Sequence, residues 1–511
     1  MVKKMKNKTI TVVSLAEILY YLSFSLLLLA KGLGYYDGQA FFKVCLVLSV
    51  LAWAGKMWLT KYTKKEIGII LLLICLCGYV YLVSGEKGAL IYIFMITGLK
   101  NVPIKRIFSV GAIIWTVFFA GNAWINALHL VDGPFKVHEK LGMGMLIRWG
   151  LGQSHPNVLH ISFLVLVMFI VYLLKDKFNF KTAAIIMMGN VIVFLYSLSS
   201  TGVIVVTFYL ALNLYWKYRK KLSKIEQVLI QLVLPVCLIY SLVAPLALQG
   251  RTFEIINDFT NTRLTLARRF LTETGASLFG VKLSEIITSQ LTMDNSYVFA
   301  FVTYGVILFV FIVIAYCLLV FKYCREQKGN ELCIILACFL AGIMEPFLFN
   351  TSYKNISLLF MKDILFEEEK EATICFPGYF YKEFSISWGK QYIGLKNKID
   401  KIKNRKNAFI IAAIVGIVIG SLGYQIVAKP PKRILVPEPA CDVAVIQRTE
   451  DTLEAVYLES EEGPEETDQV LGYIDEKTRM IIYSDGIVQI EHIRGTVCSG
   501  LTIGFLSIVM T

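Results

Sequence analysis

Long apolar segments alternate with short polar connections along most of this chain. Apolar runs of 18 or more residues recur many times between residues 11 and 345, and each is long enough to cross about 30 Å of hydrocarbon. Lipid offers the backbone no hydrogen-bond partner, so such runs are expected to be helical. The pattern predicts an all-α polytopic membrane protein with about twelve transmembrane helices.

The twelve predicted spans all lie before residue 367. Most are full membrane length, whereas the fourth and the last two are short, and the last two enclose the sequence EPFLFNTSYKN. The predicted spans are 11–30, 39–58, 66–84, 88–99, 106–128, 157–174, 182–198, 202–216, 228–248, 297–321, 332–345 and 353–366.

The remainder of the chain differs in character from this membrane domain, 1–366. Acidic and then basic residues in 367–407 predict a cytoplasmic linker, and the apolar run 408–428 predicts a thirteenth helix. The segment 429–511 contains short alternating runs (DVAVIQ, EAVYLE, VLGYID, TRMIIYS and GIVQIEHI), which predict a small extracytoplasmic β-rich tail. Its apolar end, VCSGLTIGFLSIVMT, is expected to be a buried strand or an interfacial segment.

Two cysteines, Cys441 and Cys498, bracket that tail. On the oxidising side of a membrane they could form a disulfide, and two free thiols are an equal alternative. The other cysteines lie mostly within spans, where sulfur serves as small apolar filler.

The charge distribution predicts how the chain is oriented. The chain is 56% hydrophobic and 17% charged with a net charge of +13, and Lys and Arg concentrate in alternate connections. Because positive loops mark the cytoplasmic side, we expect a multi-pass plasma or inner membrane protein with a cytoplasmic N-terminus. The large loops 129–157 and 249–297 and the C-terminal tail are then extracytoplasmic. The positive charge does not indicate a nucleic-acid partner.

The loop 249–297 carries four arginines, among spans that are almost free of charge. Arginine suits diphosphate because its planar fork binds two oxygens and keeps its charge. Surface arginines at a span edge also reach out to lipid phosphates, and that reading is open for each one alone. The candidates are Arg251, Arg263, Arg268 and Arg269, together with Arg148 in the other large loop.

Further polar candidates stand at the ends of spans. Asp294 precedes the tenth span, where a carboxylate could act as a base or simply cap the helix. His155 and Asn157 stand at the start of the sixth span in GQSHPN, where a histidine is often structural. Glu345 lies at an apolar helix end, and an ionisable group at membrane depth is a functional candidate. No nucleotide-binding loop occurs, so no cofactor is expected.

These residues follow one another in an order that resembles the O-antigen ligase/polymerase superfamily, closest to Wzy-type polysaccharide repeat-unit polymerases. The likeness covers about 1–365 and is carried by Arg263, by Gly280, by the run DNSY at 294–297, and by GQSHPN and EPFLFNTSYKN. Ligase-like members often have a histidine where Asp294 stands. Many members also carry a Ser-Arg pair at a position where this chain has SSTG, 199–202.

The resemblance implies polymerisation of undecaprenyl-diphosphate-linked oligosaccharide repeat units into a surface polysaccharide, by metal-independent glycosyl transfer on the outer membrane face. Membrane lipid, a chain-length regulator and a flippase are the further partners that it implies. The roles implied are diphosphate binding by Arg263, Arg148, Arg251 and Arg268, catalysis by Asp294 as base with Arg263 and with His155 as second base, and sugar contact or support by Asn157, Asn295, Tyr297 and Glu345.

Three other functions remain open from the sequence. A ligase would join a finished glycan to another acceptor and would share the same residues. A transporter or flippase of lipid-linked sugars is less favoured because charge concentrates in loops and no inverted repeat is evident. A signalling protein would use the predicted β-rich tail as its sensor.

Overall fold

The computed structural model describes most of the membrane domain and parts of the C-terminal region. The described residues are 11–128, 130–131, 135–139, 145–219, 221–260, 262–283, 293–366, 383–386, 406–427, 434–435, 443–449, 452–457, 469–475, 480–483 and 485–510. Predictions for the linker outside 383–386 and 406–407, and for Cys441, fall outside these residues.

The described chain is mostly helical, and ten of its helices are long and apolar enough to cross a membrane. A helical multi-pass membrane protein is thereby confirmed at this level. The ten are Leu15–Gly32 (α1), Ala40–Trp58 (α2), Lys64–Ser84 (α3), Ile104–Ala127 (α5), Pro156–Leu174 (α6, continued to Lys177), Phe180–Ser197 (α7), Lys224–Ala247 (α9), Ser296–Glu326 (α12), Lys406–Val427 (α14) and Asp485–Met510 (α15, apolar over Ile490–Met510).

Shorter or more polar helices complete the bundle. Gly88–Thr97 (α4) and Gly329–Met344 (α13) are apolar but short, and Ser200–Arg219 (α8) is not among the ten. Two further helices, Gly250–Phe259 (α10) and Arg263–Thr274 (α11), lie in the large loop between α9 and α12. Local sequence explains several helix starts; for example, Thr63 and Glu66 form a reciprocal capping box before α3.

The predicted twelfth span, 353–366, is wrong as a membrane helix. The structure has a 3₁₀ helix Ile356–Met361 followed by a single α-turn Lys362–Leu365. All six residues of the 3₁₀ helix are buried inside the protein. The apolar character of this segment therefore reflects packing against other helices and not contact with lipid.

The basic connections meet at one end of the bundle. Lys100 forms an ion pair with Glu66, and Lys362 Nζ donates to the carbonyl oxygen of Val102 at 2.9 Å. These contacts join the connection after α4 to the start of α3 and to the turn that follows the 3₁₀ helix. The opposite end holds the two large loops; there, Gln153 Nε2 donates to the carbonyl oxygen of the last residue of α1 at 3.1 Å.

Helix α12 is interrupted near this opposite end. Gly305 has φ +74° and ψ 169°, which breaks the helical hydrogen bonding. The preceding loop fills the break, since Val306 N donates to Ser277 O at 2.8 Å and Val281 N donates to Val302 O at 3.1 Å. A break inside an apolar helix is tolerated where protein satisfies the freed backbone groups. The loop 277–281 is thus locked to the body of the bundle.

We expect Gly280→Ala to destabilise the protein strongly. Gly280 has φ +88°, and a Cβ there would lie 2.0 Å from the carbonyl oxygen of Thr303. Strain and steric overlap together should lower the free energy of unfolding by about 3 kcal/mol. Gly85→Ala is the matched control, because Gly85 has φ +75° with no atom within 4 Å of its Cβ position. Thermal unfolding in detergent measures both, and equal losses would contradict the locked loop.

Short strands occur in three places. Thr11–Ser14 (β1) pairs with Glu383–Ile386 (β4), and Phe135–Glu139 (β2) pairs with Met145–Trp149 (β3), both antiparallel. In the C-terminal region five antiparallel strands form a sheet of order β5-β9-β8-β7-β6. They are Ile434–Leu435 (β5), Val443–Thr449 (β6), Thr452–Tyr457 (β7), Gln469–Asp475 (β8) and Met480–Tyr483 (β9).

The end of the chain corrects the predicted tail 429–511. The run GIVQIEHI, expected as a strand, and the apolar terminus, expected as a buried strand or interfacial segment, together form the single helix α15. Small residues let α15 approach α14 closely: a Cβ on Gly504 would lie 3.1 Å from the carbonyl oxygen of Ala413. Cys498 on α15 is buried and free among the described residues, and its predicted partner Cys441 lies outside them.

Candidate functional site

Arg263 is held at the junction of two helices. It is the first residue of α11, where Nη1 donates to Thr260 O at 3.1 Å and Nε donates to Met344 O at 3.2 Å. Its Nη2 lies 3.9 Å from Oε1 of Glu345. The guanidinium group therefore links the start of α11 to the end of α13 and faces a carboxylate.

Asp294 is not the N-cap of α12. The cap is Asn295, whose side chain accepts hydrogen bonds from Tyr297 N at 2.9 Å and Val298 N at 3.1 Å. The alternative role considered for Asp294 is thus taken by its neighbour. Burial raises the pKa of the Asp294 carboxyl, and the charge of Arg263 acts in the opposite direction. Asp294 and Arg263 are therefore electrostatic neighbours.

Glu345 ends α13 and is 5% exposed. Its carbonyl oxygen accepts a hydrogen bond from Ser296 Oγ at 2.5 Å, which fixes it to the start of α12. Among the described residues its Oε1 has no hydrogen-bond partner, although Arg263 lies near. Burial, followed by the charge of Asp294, raises the pKa of Glu345 to about 8.

Arg148 reaches the same place from the other large loop. It lies on β3, and its Nη2 donates to Asn157 Oδ1 at 2.6 Å while its Nε donates to Ser197 O at 2.9 Å. Its charge interacts with that of Glu345. His155 is the N-cap of α6, since its Nδ1 accepts from Asn157 N at 3.1 Å. This contact gives His155 a structural role.

Lys354 also belongs here, although sequence reasoning did not select it. It is 3% exposed, and its Nζ donates to Val158 O at 3.4 Å. Burial lowers the pKa of Lys354 to about 7; Lys31 lowers it further and Glu345 opposes that shift. Lys354 falls at the predicted outer end of the twelfth span, and a lysine there departs from the positive-inside pattern. That departure is the signal by which it could have been found.

Two of the arginines predicted to bind diphosphate lie apart from Arg263 and Glu345. Arg268 donates to Pro245 O and Leu248 O, each at 2.5 Å, and its guanidinium carbon lies 3.8 Å from the centre of the Phe253 ring. Arg251 is exposed on α10. The structure therefore gives Arg268 the role of stabilising the end of α9 and does not bring Arg251 into the group.

Two of the predicted sugar contacts act in packing. Tyr297 is buried, and its hydroxyl donates to Phe339 O at 2.9 Å. The side-chain amide of Asn295 donates to Ser241 Oγ at 2.9 Å and to Ile343 O at 3.1 Å. Of the roles considered for these two residues, support is the one that these contacts fit.

We call the five gathered residues the charged cluster: Arg148, Arg263, Asp294, Glu345 and Lys354. Its members come from both large loops, from the end of α13 and from the connection between α13 and the 3₁₀ helix Ile356–Met361. Two guanidinium groups and one amine face two carboxylates, one of which keeps its proton near neutral pH because of burial. Such a site favours an anion with several oxygens and places an acidic side chain beside it.

We expect affinity for inorganic pyrophosphate to fall by about tenfold as the pH rises from 6 to 9, since the site changes by about two charges. Lys354 loses its positive charge around pH 7 and Glu345 gains a negative charge around pH 8. Calorimetric titration would measure this. The double variant Glu345→Gln/Lys354→Met is the control and should show a flatter profile; a decline as steep as in the unchanged protein would exclude these groups.

Comparison of the chain with protein-family models, curated proteins and solved structures gives no match.

Proposed function

We propose that this protein polymerises lipid-linked oligosaccharide repeat units into a surface polysaccharide on the outer face of the cell membrane. The observation that carries the proposal is the convergence of Arg148, Arg263 and Asp294 beside the buried Glu345. These residues are far apart in sequence, and three of them lie in segments that resemble those of the polymerase superfamily.

A diphosphate ester fits the cationic part of the charged cluster. Arg263 and Arg148 carry permanent charges near Glu345, and Lys354 adds a third cation at lower pH. Guanidinium groups held by backbone carbonyls are pre-organised, so little reorganisation is needed when negative charge develops. The leaving undecaprenyl diphosphate would receive its stabilisation here.

A lipid substrate also fits the surroundings of α11. The adjacent helix α10 has no buried residue, and Ile255 and Phe259 on it are 59% and 87% exposed. These two residues are four apart and share one helix face, which suits burial at the boundary of headgroups and acyl chains. Arg251 at the start of α10 could then contact lipid phosphates.

Asp294 is the group that we assign as base. In the transfer, a hydroxyl of the incoming repeat unit attacks the anomeric carbon of the growing glycan and its proton passes to Asp294. The bond between that carbon and the diphosphate oxygen breaks, and undecaprenyl diphosphate leaves with the electron pair. Asp294 is only half-buried, so a substrate hydroxyl can reach it. Its raised pKa makes the carboxylate a better proton acceptor.

The decisive experiment is reconstitution. Full-length protein purified in detergent is mixed with lipid-linked repeat units extracted from cells that lack this chain. Products that form a ladder spaced by one repeat unit would support the proposal. Transfer of a finished glycan to a different acceptor would indicate a ligase, and movement across liposome membranes without any new glycosidic bond would indicate a transporter.

A further inference from the structure

The C-terminal helix α15 contacts the strand that carries Arg148. Arg494 on α15 is 2% exposed. Its Nη2 donates to Ile147 O on β3 at 2.9 Å, and its Nε donates to Leu195 O near the end of α7 at 2.7 Å. One guanidinium group therefore joins Ile147 on β3 to Leu195 on α7, two residues that lie about 48 positions apart in the sequence.

Glu491, one turn earlier on α15, completes this contact. It accepts a hydrogen bond from Arg494, and its Oε1 also accepts one from Trp149 Nε1 at 3.0 Å. The hydroxyl of Tyr196 donates to the carbonyl oxygen of Arg494 at 3.2 Å. The charges of Glu491 and Arg494 are buried as a pair, so neither is left without compensation.

Arg148 lies between the two residues of β3 that α15 holds, Ile147 and Trp149. Side chains alternate along a strand, so Arg148 projects from the opposite face to these neighbours. Its own Nε donates to Ser197 O, two residues beyond the carbonyl that Arg494 binds. The position of the Arg148 guanidinium thus depends on the same junction of β3 and α7 that Arg494 ties together.

We propose that Arg494 and Glu491 are positioning residues for Arg148, and that the C-terminal helix is therefore a component of the anion site. The inference rests on the proposed function in taking diphosphate as the ligand. The proposal assigns a role to the C-terminal region, in which the sheet β5–β9 lies in the chain between α14 and α15. A movement of α15 would therefore change the position of the Arg148 guanidinium group.

Binding of undecaprenyl diphosphate to the full-length purified protein tests this coupling. Arg494→Ala should weaken binding by about tenfold or more, the effect expected when one charge-assisted hydrogen bond to a ligand is lost. Arg148→Ala should do the same. The double variant should bind no more weakly than Arg148→Ala, because Arg494 acts through Arg148. Independent, multiplicative losses would overturn the proposal.

Two further variants separate positioning from general destabilisation. Arg494→Lys keeps the charge and can reach one carbonyl, so it should recover part of the lost affinity. Ile493→Ala is the control, since Ile493 is 49% exposed on the same helix turn, and it should bind like the unchanged protein. Failure of the lysine variant to exceed the alanine variant counts against the proposal.

Amide hydrogen exchange over 145–149 distinguishes this inference from the proposed function. If the unchanged protein does not bind undecaprenyl diphosphate, the proposed function fails and exchange decides the coupling alone. Faster exchange of β3 in Arg494→Ala but not in Ile493→Ala would support a positioning contact. Unchanged exchange in both would overturn it.

Discussion

Arg263→Ala should abolish polymer formation while the protein still reaches the membrane. The Arg263 guanidinium group lies 3.9 Å from Oε1 of Glu345, and its charge also acts on Asp294. Removing a pre-organised cation from the place where negative charge develops lowers the rate by about 100-fold or more. The measurement is the ladder of surface glycan from cells that carry the variant in place of the natural chain, with protein amount determined by immunoblot.

Arg268→Ala is the matched control for this variant. Both arginines lie on α11, and both donate to two backbone carbonyl oxygens. Only Arg263 faces the carboxylates, so Arg268→Ala should leave the ladder and reduce thermal stability alone. Equal loss of polymer in both variants would mean that α11 supports the fold and that Arg263 has no special role.

Asp294→Asn should slow glycosyl transfer by about 100-fold to 10,000-fold, the usual contribution of a general base. The amide has the same size but cannot accept the proton, and binding of lipid-linked substrate should persist because the arginines remain. Initial rates and binding are measured on the same purified protein. Asp258→Asn, an exposed carboxylate on α10, serves as the control and should have the unchanged rate.

Retention of the full rate by Asp294→Asn would move the base elsewhere. Glu345 is then the next group to test, since its pKa of about 8 lies close to neutral pH. Loss of substrate binding together with the rate would instead indicate that Asp294 positions Arg263.

Most of the helical spans were predictable because an apolar run of membrane length usually forms its own helix. The predicted span 39–58, for example, differs from the helix Ala40–Trp58 by one residue at its start. In the sequence, only the order of Arg263, Asp294 and Glu345 along the chain suggested that these residues lie close together in the fold. Their spacing in the folded protein depends on contacts between helix ends, and those contacts leave no period in the sequence.

Hydropathy gave a wrong prediction of a membrane span where apolar residues are buried by other helices and not by lipid. Phe360 lies in the predicted twelfth span, but its ring packs against Phe108 and Tyr323 at centroid distances of 5.9 and 6.0 Å. In α15 a membrane-length helix was missed, because Glu491 and Arg494 lower the mean hydropathy of the segment. These two residues pair with each other inside the protein, and such pairing cannot be read from a single segment.

The backbone contacts around the break in α12 offer a practical site for a reporter. Positions 284–292 lie in the sequence between Val281, whose backbone N donates to Val302 O, and Asn295, which caps α12. Because Val281 and Asn295 are tied to the bundle, an epitope inserted between 284 and 292 should leave Asp294 in place. Antibody staining of intact cells would then reveal which aqueous compartment the loop occupies, while the same cells still make polymer.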